Sequence, residues 1–370
     1  MTDPAGSAPL SAPKKILLAA ILFLGIPIGL LILLEGVSSL ALLVADLRPS
    51  RQLTERAHTD YDTLLGWINQ RNASVPDLYR PGVGLHTNSR RFRGREDVSD
   101  SVAPNHVRIV CSGDSYTLGW GVGDDDTWCA QLARHDPRLE TVNMGQGGYG
   151  LDQVYLWYRR DGERLEYQVQ VLAFILHDFD RMVAPTFLGF GKPMLRLDRD
   201  TLAVDNVPVP RWSYAAPGLA RYLDEQRTNF ADLRAARLLA RLQRRLSGSA
   251  DQAGADSAVF PVVAALIRDL HERNRRKGST LVLVYLPMPS DDRSLRTDRW
   301  RGWIADVAGP LGVEFIDLVP ALRSFPAESL PTLFIGRKES GLGHYSPRGN
   351  RWVADELYRR VSRLPPFSSR

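Results

Sequence analysis

Ser115 stands where a serine hydroxyl could act as a nucleophile. It follows an apolar, β-prone run that begins at Val107, and the glycines that start at Gly119 favour a tight turn. This arrangement holds a hydroxyl at the carboxyl end of a strand, the edge where ligands bind in open α/β sheets. A serine that attacks an ester also needs a base, donors for the developing oxyanion, and usually a group that orients the base.

Groups of those kinds follow the next two predicted strands and one late loop. The second strand leads into a glycine-rich stretch, 143–150, whose backbone N–H groups a ligand can approach closely. The third strand ends in His177 and Asp178. His344 stands in a loop before a helix that Pro347 can start. Because parallel strands share one carboxyl edge, we expect the groups that end the second and third strands to lie near Ser115.

The elements that must position these residues begin at residue 107. From there β-prone runs alternate with helical patterns, which predicts a parallel sheet covered on both faces. The predicted strands are 107–112, 140–144, 169–176, 280–286 and 313–317. The predicted helices are 127–135 (N-cap at Asp126 or Thr127), 151–164, 259–277, 297–308 and 347–363.

A long insert, 185–258, separates the third and fourth strands. Its first part, 194–204, alternates apolar and polar residues and predicts a β-hairpin. An apolar stripe at helical spacing runs from Leu219 to Leu242; it predicts a helix that caps the domain or lies on a membrane surface. The segment from Gly248 to Gly254 is predicted to be a flexible loop.

The segment Ile16–Leu34 is 19 residues long and carries no charge. At about 1.5 Å per residue it can cross a hydrocarbon core of roughly 30 Å. Its apolar character continues to Ala45, which favours an uncleaved anchor over a signal peptide with a shorter apolar region. We therefore expect a tail at 1–15, an anchor at 16–45, a loosely packed lead-in at 46–106, and the main domain over 107–370.

Charge and composition suggest a location and exclude one class of partner. Lys14 and Lys15 precede the span on a short tail, which favours a cytoplasmic N-terminus. The arginine-rich, lysine-poor composition suggests a bacterial inner-membrane protein with a periplasmic domain. Net charge is +5, but the densest basic cluster, 234–245, has no interleaved aromatic residues, so no nucleic-acid partner is expected. A solvated arginine face near anionic headgroups is the favoured interpretation.

The chain has two cysteines, Cys111 and Cys129. An oxidising compartment would permit a disulfide between them, and the alternative is a pair of buried free thiols. No Cys/His grouping has the spacing of a metal site, so neither a metal nor another cofactor is expected.

Four blocks of the sequence, in this order, resemble the SGNH/GDSL hydrolase superfamily. They are Gly113-Asp-Ser115, 143–150, Ile175-Leu-His-Asp178 and Gly343-His344, and the resemblance covers about 107–363. The apolar segment, the lead-in residues 65–67 and 88–94, and the 143–153 block look like a bacterial membrane-anchored branch. The fold implied is a flavodoxin-like, three-layer α/β/α sandwich with a five-stranded parallel sheet, preceded by one transmembrane helix.

The resemblance also implies roles for individual residues. Ser115 would be the nucleophile and His344 the base. The oxyanion hole would combine the N–H groups of Ser115 and Gly148 with an asparagine side chain. Here His177 stands at that asparagine position; a neutral imidazole can donate one N–H, so His177 is either the third donor or a core histidine bonded to backbone.

A second departure concerns the acid of the triad. Gly341 stands where the family has aspartate, three residues before its histidine. Glu339 and Asp317 are candidate acids, although neither is in register. Without an acid, His344 could act in a Ser-His dyad; loss of the triad acid typically costs about 10⁴ in rate. Asp114 is expected to pin the turn and to point away from the neighbouring hydroxyl.

These observations favour a membrane-anchored periplasmic serine esterase or acyltransferase. Its substrate would be an O-acyl ester, chiefly O-acetyl, of a cell-envelope glycan or glycolipid, with the membrane bound through Ile16–Leu34. A non-catalytic glycan-binding or assembly protein with the same fold is the first alternative. A lipid esterase is the second.

Overall fold

The structure is a computed structural model that describes residues 11–47, 57–187, 190–211, 233–246, 250–336 and 343–368. By their contacts these residues divide into two units, one within 1–50 and 213–252 and the other within 51–212 and 253–370. The strands, all in the second unit, are β1 (Thr59–Asp62), β2 (Gly66–Asn69), β3 (Ser74–Arg80), β4 (Val83–His86), β5 (Val107–Gly113), β6 (Leu139–Gly145), β7 (Val169–Phe174), β8 (Thr186–Phe187), β9 (Phe190–Gly191), β10 (Met194–Asp198), β11 (Thr201–Asp205), β12 (Thr280–Tyr285) and β13 (Glu314–Asp317).

Five of these strands form the central sheet, in the order β13-β12-β7-β5-β6, with every neighbouring pair parallel. All six residues of β7 are buried, as expected for a parallel strand covered on both faces. The predicted fold class is confirmed: a five-stranded parallel sheet with flanking helices, preceded by a long apolar helix.

The strand order places a topological switch point between β5 and β7. The chain passes from β5 to β6 on one side and then to β7 on the other. A crevice opens at such a point, beyond the carboxyl ends of the two strands, and ligands bind there. Ser115 follows β5 and Ile175 follows β7, so the switch point coincides with the candidate site.

The helices agree with the predicted pattern. They are α1 (Ala12–Ala20), α2 (Ile26–Leu47), α3 (Ser115–Leu118), α4 (Trp128–Ala133), α5 (Leu151–Trp157), α6 (Leu176–Asp180), α7 (Arg234–Leu246), α8 (Ala250–Lys277), α9 (Leu295–Leu311), α10 (Val319–Arg323), α11 (Pro347–Val361) and α12 (Pro365–Ser368). Thr127 is the N-cap of α4 and accepts from the N–H of Ala130 at 3.2 Å. Pro347 begins α11 behind the N-cap Ser346, as its fixed φ allows.

The lead-in is a packed part of the second unit, and the expectation of loose packing was wrong. From residue 57 it forms two antiparallel hairpins, β1–β2 and β3–β4. Leu65, Trp67 and Phe92 are buried in the core. These apolar residues lie between prolines and glycines and have no helical or strand periodicity, so the sequence pattern did not predict their burial.

The insert is partly as predicted. Strands β10 and β11 form the expected hairpin, and α7 covers the end of the apolar stripe, whereas 212–232 lie outside the described residues. Gly254 lies inside α8, so the flexible loop is wrong from Ala250 onward. Several alanines surround Gly254, and their helix propensity outweighs the roughly 1 kcal/mol cost of one helical glycine.

The first unit contains a long apolar helix. Residues Ala12–Val44 are long and apolar enough to cross a membrane, and the apolar window within them is fully exposed. A π-helical segment, Ile21–Gly25, separates α1 from α2. Within this unit the Glu35 carboxylate accepts from the first backbone N–H groups of α7, those of Arg234 and Ala235, the latter at 3.0 Å.

Candidate active site

Ser115 and His344, 229 residues apart in sequence, meet at the carboxyl edge of the sheet. The distance from His344 Nε2 to Ser115 Oγ is 2.8 Å. Both residues are buried. Ser115 is the first residue of α3, and His344 lies in the loop before α11. A base within hydrogen-bond reach of a hydroxyl is the geometry that activates a serine nucleophile.

Asp114 holds the turn in which Ser115 stands. Its Oδ1 accepts from the N–H of Tyr116 at 2.9 Å, which caps α3 as expected. Its Oδ2 lies 3.2 Å from Ser115 Oγ. The expectation that this carboxylate points away from the hydroxyl was therefore wrong, because the turn is tight enough for one carboxylate to reach both groups.

A buried guanidinium lies behind Asp114. Arg181 Nη1 donates to Asp114 Oδ2 at 3.1 Å, to Asp178 Oδ1 at 2.7 Å and to the Tyr149 carbonyl at 2.7 Å. Burial raises the pKa of Asp178 well above its usual range, and the neighbouring charge of Asp114 raises it further. Sequence reasoning missed Arg181. The one available signal was its i,i+3 spacing from Asp178; Arg181 directly follows the last residue of α6.

Arg93 of the lead-in is a second buried cation that sequence reasoning missed. Its guanidinium donates to the carbonyls of Leu118 and Val122 at 2.9 and 2.8 Å, and to Asp124 Oδ1 at 2.8 Å. Its backbone N–H donates to the carbonyl of Asn143 at the end of β6. The segment that follows Ser115 is thus fastened to the lead-in.

The three predicted oxyanion donors line one cavity. Ser115, Gly148 and His177 all contribute to its wall. Gly148 adopts φ = 77°, a conformation that favours glycine, and the preceding carbonyl accepts from Trp67 Nε1 at 2.9 Å. His177 is exposed, which excludes the core-histidine alternative.

The candidate acids have different outcomes. Glu339 and Gly341 lie outside the described residues. Asp317 is engaged elsewhere: its Oδ2 accepts from Arg301 Nε at 2.7 Å and its Oδ1 from the N–H of Val319 at 3.0 Å. In the part of the chain that the structure describes, the buried Nδ1 of His344 has no hydrogen-bond partner.

Burial dominates the protonation of His344. It lowers the pKa of His344 to about 4; the Asp114 charge opposes this shift and Arg181 adds to it. The imidazole is therefore neutral near pH 7 and can accept the Ser115 proton. The imidazolium that results is largely shielded from solvent, so the surrounding protein must help to stabilise it.

The cavity beside Ser115 has a volume of about 610 Å³. Most of its wall away from the two catalytic candidates is apolar, and includes Ile175, Phe187, Leu330 and Phe334. Sites of this size, apolar with a few convergent polar groups, are typical of small-molecule and substrate binding.

Cys111 and Cys129 are both buried free thiols in the structure, so it shows the second of the two alternatives and not a disulfide. Burial and the neighbouring Cys111 raise the pKa of the Cys129 thiol, which makes it a weak nucleophile. Among the described residues no cluster of three His, Cys, Asp or Glu side chains could hold a metal ion.

No protein-family model and no curated protein matches this chain. Solved structures with a similar fold include a member of the lipolytic protein G-D-S-L family from Veillonella parvula. It is 12% identical over 70% of this chain and 100% of that one, with a TM-score of 0.39. A lipase/acylhydrolase from Enterococcus faecalis is 14% identical over 70% and 98%, with a TM-score of 0.40. An acetyl-xylooligosaccharide esterase from Geobacillus is 12% identical over 71% and 98%, with a TM-score of 0.40. No residue role passes from those proteins to this chain at such levels of similarity.

Proposed function

We propose that this chain is a serine-dependent ester hydrolase or acyltransferase, anchored to a bacterial inner membrane by its N-terminal helix with the sheet domain in the periplasm. The observation that carries the proposal is the 2.8 Å distance between His344 Nε2 and Ser115 Oγ. Both atoms lie at the wall of a cavity large enough for a substrate.

The reaction begins when Ser115 Oγ attacks the acyl carbonyl carbon and passes its proton to His344 Nε2. The carbonyl π pair moves to oxygen, and the N–H groups of Ser115 and Gly148, with the His177 side chain, stabilise the resulting oxyanion. Collapse of this intermediate breaks the ester C–O bond. His344 returns the proton to the leaving alcohol, and an acyl-serine remains.

The second half-reaction releases the acyl group. A water molecule, or a sugar hydroxyl in the transferase version, attacks the acyl-serine while His344 takes its proton. The same oxyanion donors act again, and Ser115 regains its hydrogen. Hydrolase and transferase differ only in the acceptor, so one site supports both.

A periplasmic address favours O-acyl, chiefly O-acetyl, esters of cell-envelope glycans as substrates. The cavity favours the second candidate, an esterase for lipids or other long acyl chains. An acetyl methyl would leave most of the 610 Å³ apolar space unfilled. Each further buried methylene gains about 0.8 kcal/mol, or up to roughly fourfold in kcat/KM.

Fluorophosphonate labelling of the full chain in detergent tests the proposal. We expect labelling of the wild-type protein and none of Ser115→Ala, with His344→Gln strongly slowed. Ser290→Ala is the matched control, because Ser290 lines the same cavity and, among the described residues, makes no hydrogen bond to His344. If the wild type is not labelled and turns over no acetyl ester, the non-catalytic glycan-binding alternative stands instead.

A chain-length series separates the two substrate candidates. We expect kcat/KM for p-nitrophenyl esters to rise from acetate to decanoate if the apolar cavity takes the acyl chain. A maximum at acetate would favour acetylated glycans.

A further inference from the structure

The ring of His344 packs against two aromatic side chains from the turn that carries the nucleophile. The Trp120 ring stacks on it, with centroids 4.9 Å apart and planes 29° apart. The Tyr116 ring lies at 4.7 Å with an angle of 37°. Trp120 is tied to the nucleophile, since its backbone N–H donates to the Ser115 carbonyl at 3.0 Å.

The backbone around His344 is held by hydrogen bonds of its own, besides the one that the Tyr116 hydroxyl donates to the Gly343 carbonyl at 3.3 Å. The His344 carbonyl accepts from the N–H of Ile335 at 2.7 Å, and the N–H of Ser346 donates to the Leu333 carbonyl at 2.9 Å. The remaining freedom of His344 is rotation of the imidazole about its side-chain bonds. Within the described part of the chain, the Ser115 hydrogen bond and the flanking aromatic faces oppose this rotation.

Trp120 is itself held in place. The Tyr79 ring of β3 packs on it with centroids 5.1 Å apart and an angle of 58°. The indole is half-buried. It therefore presents a fixed face to the imidazole.

The indole face of Trp120 also affects the charge that His344 acquires during the reaction. When His344 takes the Ser115 proton, the buried imidazolium feels the favourable charge of Asp114 and the unfavourable charge of Arg181. An indole face attracts a cation, and such contacts contribute roughly two- to thirtyfold to an equilibrium, most where water is excluded. The contact strengthens as the charge develops, which is the property a catalytic interaction needs.

We infer that Trp120 is a positioning residue for His344, whose indole face orients the imidazole and stabilises the imidazolium formed during acyl transfer. This inference rests on the proposed function. It gives Trp120 part of the task that a carboxylate performs in a Ser-His-Asp triad, where the acid orients the ring and stabilises its charged form.

Two variants of Trp120 in the full chain test it, with p-nitrophenyl ester hydrolysis measured over a pH range. Trp120→Phe keeps a weaker aromatic face and Trp120→Leu keeps only apolar bulk. We expect kcat to fall in the order Trp, Phe, Leu, by about tenfold for the Leu variant, with KM within about twofold. The acid limb of the pH profile should move to lower pH in the same order, because His344 loses stabilisation of its protonated form.

Trp303→Leu is the matched control. Trp303 packs with Phe260 and Trp300, remote in sequence from the Ser115 turn, and the same change there should leave kcat and the acid limb unchanged. Thermal unfolding checks that each variant folds. If Trp120→Leu does not fold, the Trp120→Phe variant alone decides the test.

An unmoved acid limb in the variants would overturn the inference, whether or not kcat falls, since a purely packing role predicts that result. Full activity of Trp120→Leu would overturn it too. Either result leaves the proposed function intact if the wild type shows Ser115-dependent labelling. Absence of that labelling refutes the proposed function itself.

Discussion

Arg181 Nη1 lies 3.1 Å from Asp114 Oδ2, the same oxygen that lies 3.2 Å from Ser115 Oγ. The Ser115 hydroxyl therefore has two acceptors, Asp114 and the imidazole of His344. Because Arg181 donates a charge-assisted hydrogen bond to Asp114 Oδ2, this oxygen is a weaker acceptor for the Ser115 hydroxyl. The hydroxyl proton therefore remains available to His344.

Arg181→Met should destabilise the fold strongly. It leaves the buried carboxylates of Asp114 and Asp178 without their shared cation, and breaking a buried ion pair on one side costs about 3–5 kcal/mol. The free energy of unfolding from urea titration measures the loss. Arg181→Lys keeps the charge and should lose less. Equal stability of the Met variant and the wild type would contradict the role assigned to this guanidinium.

Two buried histidines should make the domain less stable as the pH drops from about 6.5 to about 4. Burial lowers the pKa of His58 and of His344 to about 4, whereas an unfolded histidine titrates near 6.5. At each of these histidines the unfolded chain binds more protons in this window, so its contribution to the free energy of unfolding decreases with falling pH, by up to roughly 3 kcal/mol per histidine.

The variant His58→Gln tests how much of this pH dependence comes from His58. Glutamine can still hydrogen-bond Asn69, the partner of His58 at 3.1 Å, but takes up no proton. Its free energy of unfolding should fall less between pH 7 and pH 4.5 than that of the wild type. The exposed His106 provides the control, and His106→Gln should retain the full pH dependence.

Gly145→Ala should disrupt the nucleophile turn. A Cβ at Gly145 would lie 1.9 Å from the backbone nitrogen of Leu118 and 2.4 Å from its Cα. Backbone atoms cannot yield as a flexible side chain can, so α3 and Ser115 must shift, and a 1 Å misplacement can cost about 100-fold in rate. The measurement is kcat together with thermal unfolding.

Gly302→Ala is the control for that substitution. Gly302 lies in α9 with open space around its Cα, so alanine should raise stability by up to about 1 kcal/mol and leave kcat unchanged. A Gly145→Ala variant as active as Gly302→Ala would show that the turn tolerates the shift.

Leu330→Trp should shorten the acyl chains that the cavity accepts. Leu330 lines the cavity, and an indole there removes space that a long chain would fill. We expect kcat/KM for decanoate to fall at least tenfold, with acetate nearly unchanged. Leu295→Trp, at a leucine 84% exposed on α9, should alter neither. A parallel loss on both esters would place the acyl chain elsewhere.

The sequence predicted the central sheet well because β-prone runs alternate with helical patterns, as they do in a parallel sheet covered by helices. Each of the five strands begins and ends within two residues of its predicted bounds. The approach of Ser115 to His344 was implied by the family resemblance rather than by the strand pattern, because His344 lies in a loop before α11 and not at the end of a strand. Helices, strands and the residues that end them depend mostly on neighbouring residues, so they can be predicted from the sequence.

The missed residues depend on contacts between distant parts of the chain. The Arg93 side chain is buried and that of Arg181 is only 10% exposed, yet a single arginine in a sequence looks like a surface residue until its carbonyl and carboxylate partners are known. Trp67 and Phe92 of the lead-in fill gaps in the core without periodicity. The aromatic contact of Trp120 with His344 joins two segments more than two hundred residues apart, and no local pattern reports it.

The attachment of Arg93 to the Ser115 turn has a practical meaning for truncation. A fragment that starts at Val107 would contain every strand of the central sheet and both members of the dyad. It would lack Arg93, which donates hydrogen bonds to the carbonyls of Leu118 and Val122. It would also lack Trp67, whose indole N–H donates to the Gly147 carbonyl. The shortest fragment that retains an ordered nucleophile therefore starts upstream of β1, some fifty residues before the first strand of the sheet.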